Sequence, residues 1–134
     1  MLKIDRAVCG YEVERLKAPF GFKGKHISAL WQTAVKLTDE NGLQGCAPGV
    51  QSVVWSDAAV FERLGDQGGN EAMFRITCRA CEMVAGKCFD TPVDMIRSIE
   101  AELFTFARNF TGLAELRPTF VLNALVPLDI KGMS

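Results

Sequence analysis

The sequence predicts an α+β domain, with a small antiparallel sheet of about three strands followed by a packed set of three to four helices. Three observations lead there. Ile27, Ala29, Trp31, Thr33, Val35 and Leu37 alternate with the polar Ser28, Gln32, Lys36 and Thr38, the period of two that a half-buried strand requires. Asn41-Gly42 follows at once, a pair that tolerates the positive φ of a tight hairpin turn. From Ser56 onward the apolar period lengthens to three and four residues, so strands precede helices along the chain.

Taken in order, residues 2–14 alternate in a strand-like way, with Ile4, Val8, Tyr11 and Val13 as the apolar set. Residues 18–27, APFGFKGKHI, are punctuated by Pro19, Gly21 and Gly24 and predict a loop. The main strand comes next, then the turn in TDENGLQG, then a returning strand over residues 43–46 and a second loop over residues 47–55. Ser56-Asp57 is an N-cap for a short helix that Gly65 ends, and GDQGGN is expected to be a flexible link. A second helix is expected over residues 70–84, closed by Gly86. The third helix has the fullest set of signals. Thr91 caps it, Pro92 occupies the first helical position, and Asp94 complements the helix dipole. Val93, Ile96, Ile99, Leu103, Phe106 and Phe110 are its expected apolar stripe, and Gly112 its stop. A last helix should start after Pro118 and present Phe120, Leu122, Ala124 and Leu125, with Pro127 bending or ending it.

Composition narrows the function classes. The 134 residues are 49% hydrophobic and 23% charged, with a formal net charge of −1, which is a globular balance sized for a single domain. A nucleic-acid binder would carry a basic surplus to neutralise phosphates, so no nucleic-acid partner is expected. No run approaches the ~20 apolar residues that a membrane-spanning helix needs, and the first residues alternate apolar with charged, unlike a signal peptide. A cytoplasmic location, with the five cysteines reduced, follows as the expectation.

The chain carries little that could run a reaction alone. Its single histidine, His26, has no nucleophile placed beside it by sequence, and Gly21-Phe22-Lys23-Gly24 lacks the spacing of a phosphate-binding loop. Cys78, Cys81 and Cys88 share one segment. A structural zinc site would need a second pair or histidines at ligand spacing, so no metal is assigned, and free cysteine serves as a small buried hydrophobe. No catalytic residue is assigned.

One resemblance is specific. The loop APFGFKGKHI, the Trp-bearing strand leading into VKLTDENGLQGCAPG, the helices, and the closing LRPTFVLNALVPLDI together resemble the N-terminal capping domain of the enolase superfamily. The similarity is to its mandelate racemase/muconate-lactonizing members and spans nearly the whole chain. It implies a single capping domain over residues 1–134, with the (β/α) barrel of the full enzyme absent. In that family barrel carboxylates hold Mg²⁺, and a barrel Lys or His removes the proton α to a substrate carboxylate. The cap supplies two loops that close over the barrel mouth. The resemblance places the first at residues 19–26, with Phe20, Phe22, Lys23, Lys25 and His26 as substrate-specificity candidates. It places the second at residues 47–55, with Pro48, Val50, Ser52 and Trp55. Phe20, Phe22 and Trp55 could shield a pocket or simply pack on the cap's own core.

This sequence has Gly45-Cys46-Ala47-Pro48 where many relatives have Gly-x-Gly-Glu, so no polar role for a glutamate carries over there. What the resemblance implies is a cap inactive by itself, with Mg²⁺ expected only in the barrel. Its partner would be that barrel, or a second copy of the chain through exposed apolar surface. The alternatives are a free-standing interaction protein that reuses the cap fold, and a thiol-based metal or redox protein resting on Cys78, Cys81 and Cys88.

Overall fold

The computed structural model describes residues 2–22 and 25–129, leaving aside the side chains of Phe22 and Lys25. Four strands form one antiparallel sheet. They are β1 (Leu2–Phe22), β2 (Lys25–Asp39), β3 (Gln44–Val50) and β4 (Cys88–Phe89), in the order β3-β2-β1-β4. The helices are α1 (Val53–Ser56), α2 (Ala58–Val84), α3 (Pro92–Thr111) and α4 (Pro118–Leu125), and a 3₁₀ turn covers Val126–Leu128. This is the α+β architecture that the sequence predicts. The short β4, which the periodicity does not signal, pairs with Leu2 and Lys3.

The main strand behaves as its alternation requires. Ala29, Trp31, Thr33, Val35 and Leu37 are all buried, and α2 lies across that face of β1 and β2. Asp39 builds the turn, its Oδ1 accepting from the Asn41 N–H at 2.9 Å and the Leu43 N–H at 2.8 Å.

β1 corrects the simple alternation. Leu2 and Ile4 are buried, yet Val8 is exposed, and the residues turned to the helices are Ala7 and Cys9. A bulge explains the change of phase. Ile4 pairs with Asp39 and Arg6 with Thr38, so Asp5 is the extra residue and both charged side chains stay outside. A second irregularity sits farther along, where residues 16–19 of β1 face Ser28 alone. Pro19 has no N–H for a ladder, so a break is expected near it. Pairing then resumes at Phe20 with Ile27, Gly21 with His26 and Phe22 with Lys25. The loop expected over residues 18–27 is therefore mostly an extended hairpin.

Two helix expectations also change. GDQGGN is helical, not a flexible link: only Gly65 departs, at φ 78°, and the helix resumes at once. Gly65 kinks α2 because this backbone conformation is one that side chains other than glycine's avoid. In α3 the cap and stop are as predicted, with the Thr91 Oγ1 accepting from the Asp94 N–H at 3.1 Å and Gly112 left-handed. Its buried seam, however, is Met95, Ile99, Leu103 and Ala107, while Val93 and Phe110 are exposed. The actual seam is rotated around the helix because α3 packs chiefly against α2 and α4, with a smaller contact at β4. α4 buries Phe120, Val121, Ala124 and Leu125, leaving Leu122 exposed. Pro127 ends it as expected and then packs against Gly49, where a Cβ would stand 2.7 Å from the proline ring.

Across the layers, Tyr11 stacks on Trp31 at 4.5 Å between ring centres and meets Phe74 of α2 edge-on at 4.7 Å. Such pairs contribute about 0.5–1.5 kcal/mol beyond area burial.

The bulge makes a specific prediction. Deleting Asp5 restores plain alternation between Ile4 and Ala7, so the midpoint of urea unfolding should stay near that of the parent. Deleting Val8 instead turns Cys9, Tyr11 and Val13 to the wrong face and should cost several kcal/mol, roughly that of burying a pair of large side chains.

Candidate specificity site

The two segments expected as loops meet at one end of the sheet. A cleft of about 100 Å³ is lined from the hairpin by Ile27 and Ala29, from the second segment by Gln51, Ser52 and Trp55, and from α2 by Asp66 and Asn70, among others. The second segment is far less loop-like than its sequence suggests. Residues 47–50 complete β3, where Pro48 sits on an edge strand that spares it a ladder donor on one side. After Gln51 and Ser52 the chain turns straight into α1.

A chain of hydrogen bonds joins these parts. Ser28, opposite the second irregularity of β1, donates its N–H to Asp66 Oδ2 at 2.9 Å and its hydroxyl at 3.2 Å. Asn70 Nδ2 donates to the Asp66 carbonyl and to Asp66 Oδ1, at 2.9 and 3.1 Å. Gln51 Nε2 then donates to the Asn70 carbonyl and to Asn70 Oδ1, both at 2.9 Å. Finally the Gln51 N–H reaches the Trp31 carbonyl at 3.0 Å. Hairpin, kinked helix and second segment are thus tied through Asp66 and Asn70, one helical turn apart, just after the Gly65 kink. Gly69 completes the approach, since a Cβ there would stand 2.7 Å from Val53 Cγ1.

α4 holds the second segment from the other side. Asn123 Oδ1 accepts from the Ser52 N–H at 2.8 Å and the Ser56 hydroxyl at 2.9 Å, and Asn123 Nδ2 donates to the Val50 carbonyl at 3.1 Å. Thr119 donates its hydroxyl to the Ser56 carbonyl. The buried Asp57 carboxylate accepts from the Ala59 N–H, which makes it the cap of α2, and from the Arg117 N–H at 2.8 Å. α1 is therefore clamped on both sides, and it carries Trp55 outward with 85% of its surface exposed.

No known family profile matches the sequence, and no curated protein matches it. Solved structures do match. L-talarate/galactarate dehydratase from Salmonella typhimurium LT2, liganded with Mg and L-lyxarohydroxamate, superimposes with a TM-score of 0.57 at 14% identity over 95% of this chain. L-talarate dehydratase from Polaromonas sp. JS666, complexed with Mg and L-glucarate, gives 0.55 at 14% identity, again over 95% of this chain. The chain spans only 28% and 30% of those proteins. It shares the fold of the corresponding part of these two dehydratases.

On this fold the candidate residues divide. Ser52 and Trp55 line the cleft. Phe20 lies directly across the strands from Ile27, which lines the same cleft, and is 58% exposed. Neither Phe20 nor Trp55 packs into the domain's own core. His26, Pro48 and Val50 are exposed and do not line the cleft, the last two because they belong to β3. Lys23 lies outside the described residues, as do the side chains of Phe22 and Lys25.

Periodicity and motifs did not point to the supports of the cleft: Gln51, Asp66, Asn70 and Asn123. Asp66 and Asn70 do stand four residues apart, the spacing of neighbours on one helix face. That spacing was hidden by the three glycines of the GDQGGN stretch, Gly65, Gly68 and Gly69. Among the described residues the cleft holds no nucleophile with a base beside it, and the Asp66 carboxylate is engaged by Ser28 and Asn70. This geometry can shape a pocket and exclude water from it. A larger cleft of about 590 Å³ lies elsewhere, between Tyr11, Trp31, Phe74, Arg75 and Phe110, and shares no lining residue with this one.

Asn70→Ala should destabilise the domain by about 1–3 kcal/mol, because the buried Gln51 amide loses one of its two acceptors and Asp66 loses the Asn70 donor. Chemical denaturation checks the magnitude. Asn123→Ala should cost a similar amount and also shift Trp55 fluorescence, the indole being carried by the turn that Asn123 holds.

Proposed function

We propose that the chain is the capping and substrate-specificity domain of a mandelate racemase/muconate-lactonizing-type enzyme. The complete protein would carry out Mg-dependent abstraction of the proton α to a carboxylate, as a racemase, an acid-sugar dehydratase or a cycloisomerase. The observation that carries this reading is Trp55, an almost fully exposed indole on a turn clamped by Asn123, Thr119 and Asp57. A side chain so costly to leave in water, on a support so firmly held, is built to meet another surface. The fold likeness to L-talarate dehydratases supports an acidic sugar as the substrate class, and those two structures contain Mg.

Mg²⁺ does not fit this chain. Among the described residues no group of three or more His, Cys, Asp or Glu side chains gathers to hold a metal ion. The metal and the general base would belong to the barrel, and the cap's part would be to fill the barrel mouth with Phe20, Ser52 and Trp55 and to keep water out. Lys23, Lys25 and His26 would meet an anionic substrate. Among the described residues no helix is long and apolar enough to cross a membrane, and a cytoplasmic enzyme fits the reading.

The exposed Trp55, Leu122 and Val126 also favour a second reading, a free-standing protein that binds itself or a partner through this surface. Activity in the presence and absence of a barrel domain separates the two. Under the cap reading, purified chain turns over no acid sugar, and activity returns when it is combined with the barrel domain of a mandelate racemase/muconate-lactonizing-type enzyme. Turnover of L-talarate or galactarate by the chain alone would overturn it. In the complete enzyme Trp55→Ala should raise KM for substrate by about tenfold, the loss of one well-placed contact. In the isolated chain the same change should leave stability within about 0.5 kcal/mol, as for other exposed positions.

A further inference from the structure

Cys9 on β1 and Cys78 on α2 bring their sulfurs to 3.0 Å although 69 residues separate them. Both are only partly buried. Cys9 belongs to the helix-facing set that the Asp5 bulge creates, so this meeting depends on the register of β1. Cys81, one turn along α2 and buried, flanks the pair, while Cys46 and Cys88 lie exposed elsewhere. Burial and the neighbouring Cys9 push the Cys78 thiol up to about 12, with Arg75 partly opposing the shift and Glu82 adding to it. Cys9 is pushed up further, chiefly by Cys81 and by burial.

We propose that Cys9 and Cys78 are a redox-modification site, forming a reversible intramolecular disulfide that cross-links β1 to α2. The oxidant class is a small-molecule disulfide such as oxidised glutathione. Cys78 ionises more readily than Cys9 and attacks the small disulfide, displacing one small thiolate and leaving a mixed disulfide on Cys78. Cys9 then gives up its proton and attacks the Cys78 sulfur, and the second small thiolate leaves. Two protein thiols are oxidised, one small disulfide is reduced to two thiols, and no other reactant is needed. The raised thiol values make the reaction slow near neutrality, so the site answers the standing redox poise and not brief pulses of oxidant. The closed loop would contain β2, α1 and the Asp66–Asn70 turn, the elements that line the cleft. The cross-link therefore restricts the site's scaffold as a whole.

Tryptic mapping tests this directly, because Cys9, Cys78 and Cys81 fall on separate peptides, residues 7–15, 76–79 and 80–87. A Cys46→Ser/Cys88→Ser variant removes the two exposed thiols, and it is equilibrated with reduced and oxidised glutathione across a range of ratios. The expected product joins peptide 7–15 to peptide 76–79, has lost two hydrogens, reverts with dithiothreitol, and melts several degrees higher than the reduced protein. Cys78→Ser should abolish it while leaving Cys9 free or glutathionylated. A link from 7–15 to 80–87 would overturn the proposal. So would mixed disulfides that never resolve, or free Cys9 and Cys78 at the most oxidising ratio.

Discussion

The site end of this domain depends on one interruption in one helix. Gly65 breaks the course of α2, and the next turn presents Asp66 and Asn70 to two segments far away in sequence, the β1–β2 hairpin and the start of α1. Both groups are charged or strongly polar, and Asn70 is buried, so leaving either unpaired would be costly. That cost fixes the geometry. Gln51 must face Asn70, or buried donors and acceptors go without partners, and Ser28 closes on Asp66 at the exposed edge of the set. Gln51 shows how closely matched the set is. Its Nε2 has two acceptors, while its buried Oε1 has no partner among the described residues.

A second constraint comes from the far end of the chain. α4 is short, and its isolated stability is negligible. It persists because Phe120, Val121, Ala124 and Leu125 close the core, and Thr77 on α2 donates to the Ala124 carbonyl at 2.7 Å. Once docked there, Asn123 reaches back across 67 to 73 residues of sequence to the second segment. The cleft is thus held between two helices, and neither of its polypeptide segments is an independent loop. This arrangement explains how an indole can stand in solvent without collapsing onto the core: the backbone beneath it has no freedom to fold inward.

How much of this was legible depends on the distance over which each feature is encoded. The β2 strand, the Asp39–Gly42 turn, the Thr91 cap with Pro92, and the Gly112 stop all rest on interactions within a few residues, and each appears where the sequence places it. The breakpoint at Gly65 was also visible, but the helical course of residues 66–70 was not. Glycine-rich composition suggested a link, whereas packing against Val53 favours the small residue at Gly69 and keeps the segment helical. The phase of β1 failed for a related reason. Adjacent Asp5 and Arg6 are the local sign of a bulge, yet only pairing with Thr38 and Asp39 reveals which residue is extra.

The sequence by itself determined the α+β class, the order of strands before helices, the local caps and turns, and the likeness to a capping domain. Those are written in period, capping chemistry and turn residues, which act between near neighbours. The tertiary structure alone decided which face of α3 is buried, that the two presumed loops are a hairpin and a clamped turn, that Asp66, Asn70 and Asn123 hold them, and that Cys9 meets Cys78. Each of these joins residues tens of positions apart, and a hydrogen bond or sulfur contact of about 3 Å leaves no trace in the spacing of either partner along its own strand or helix.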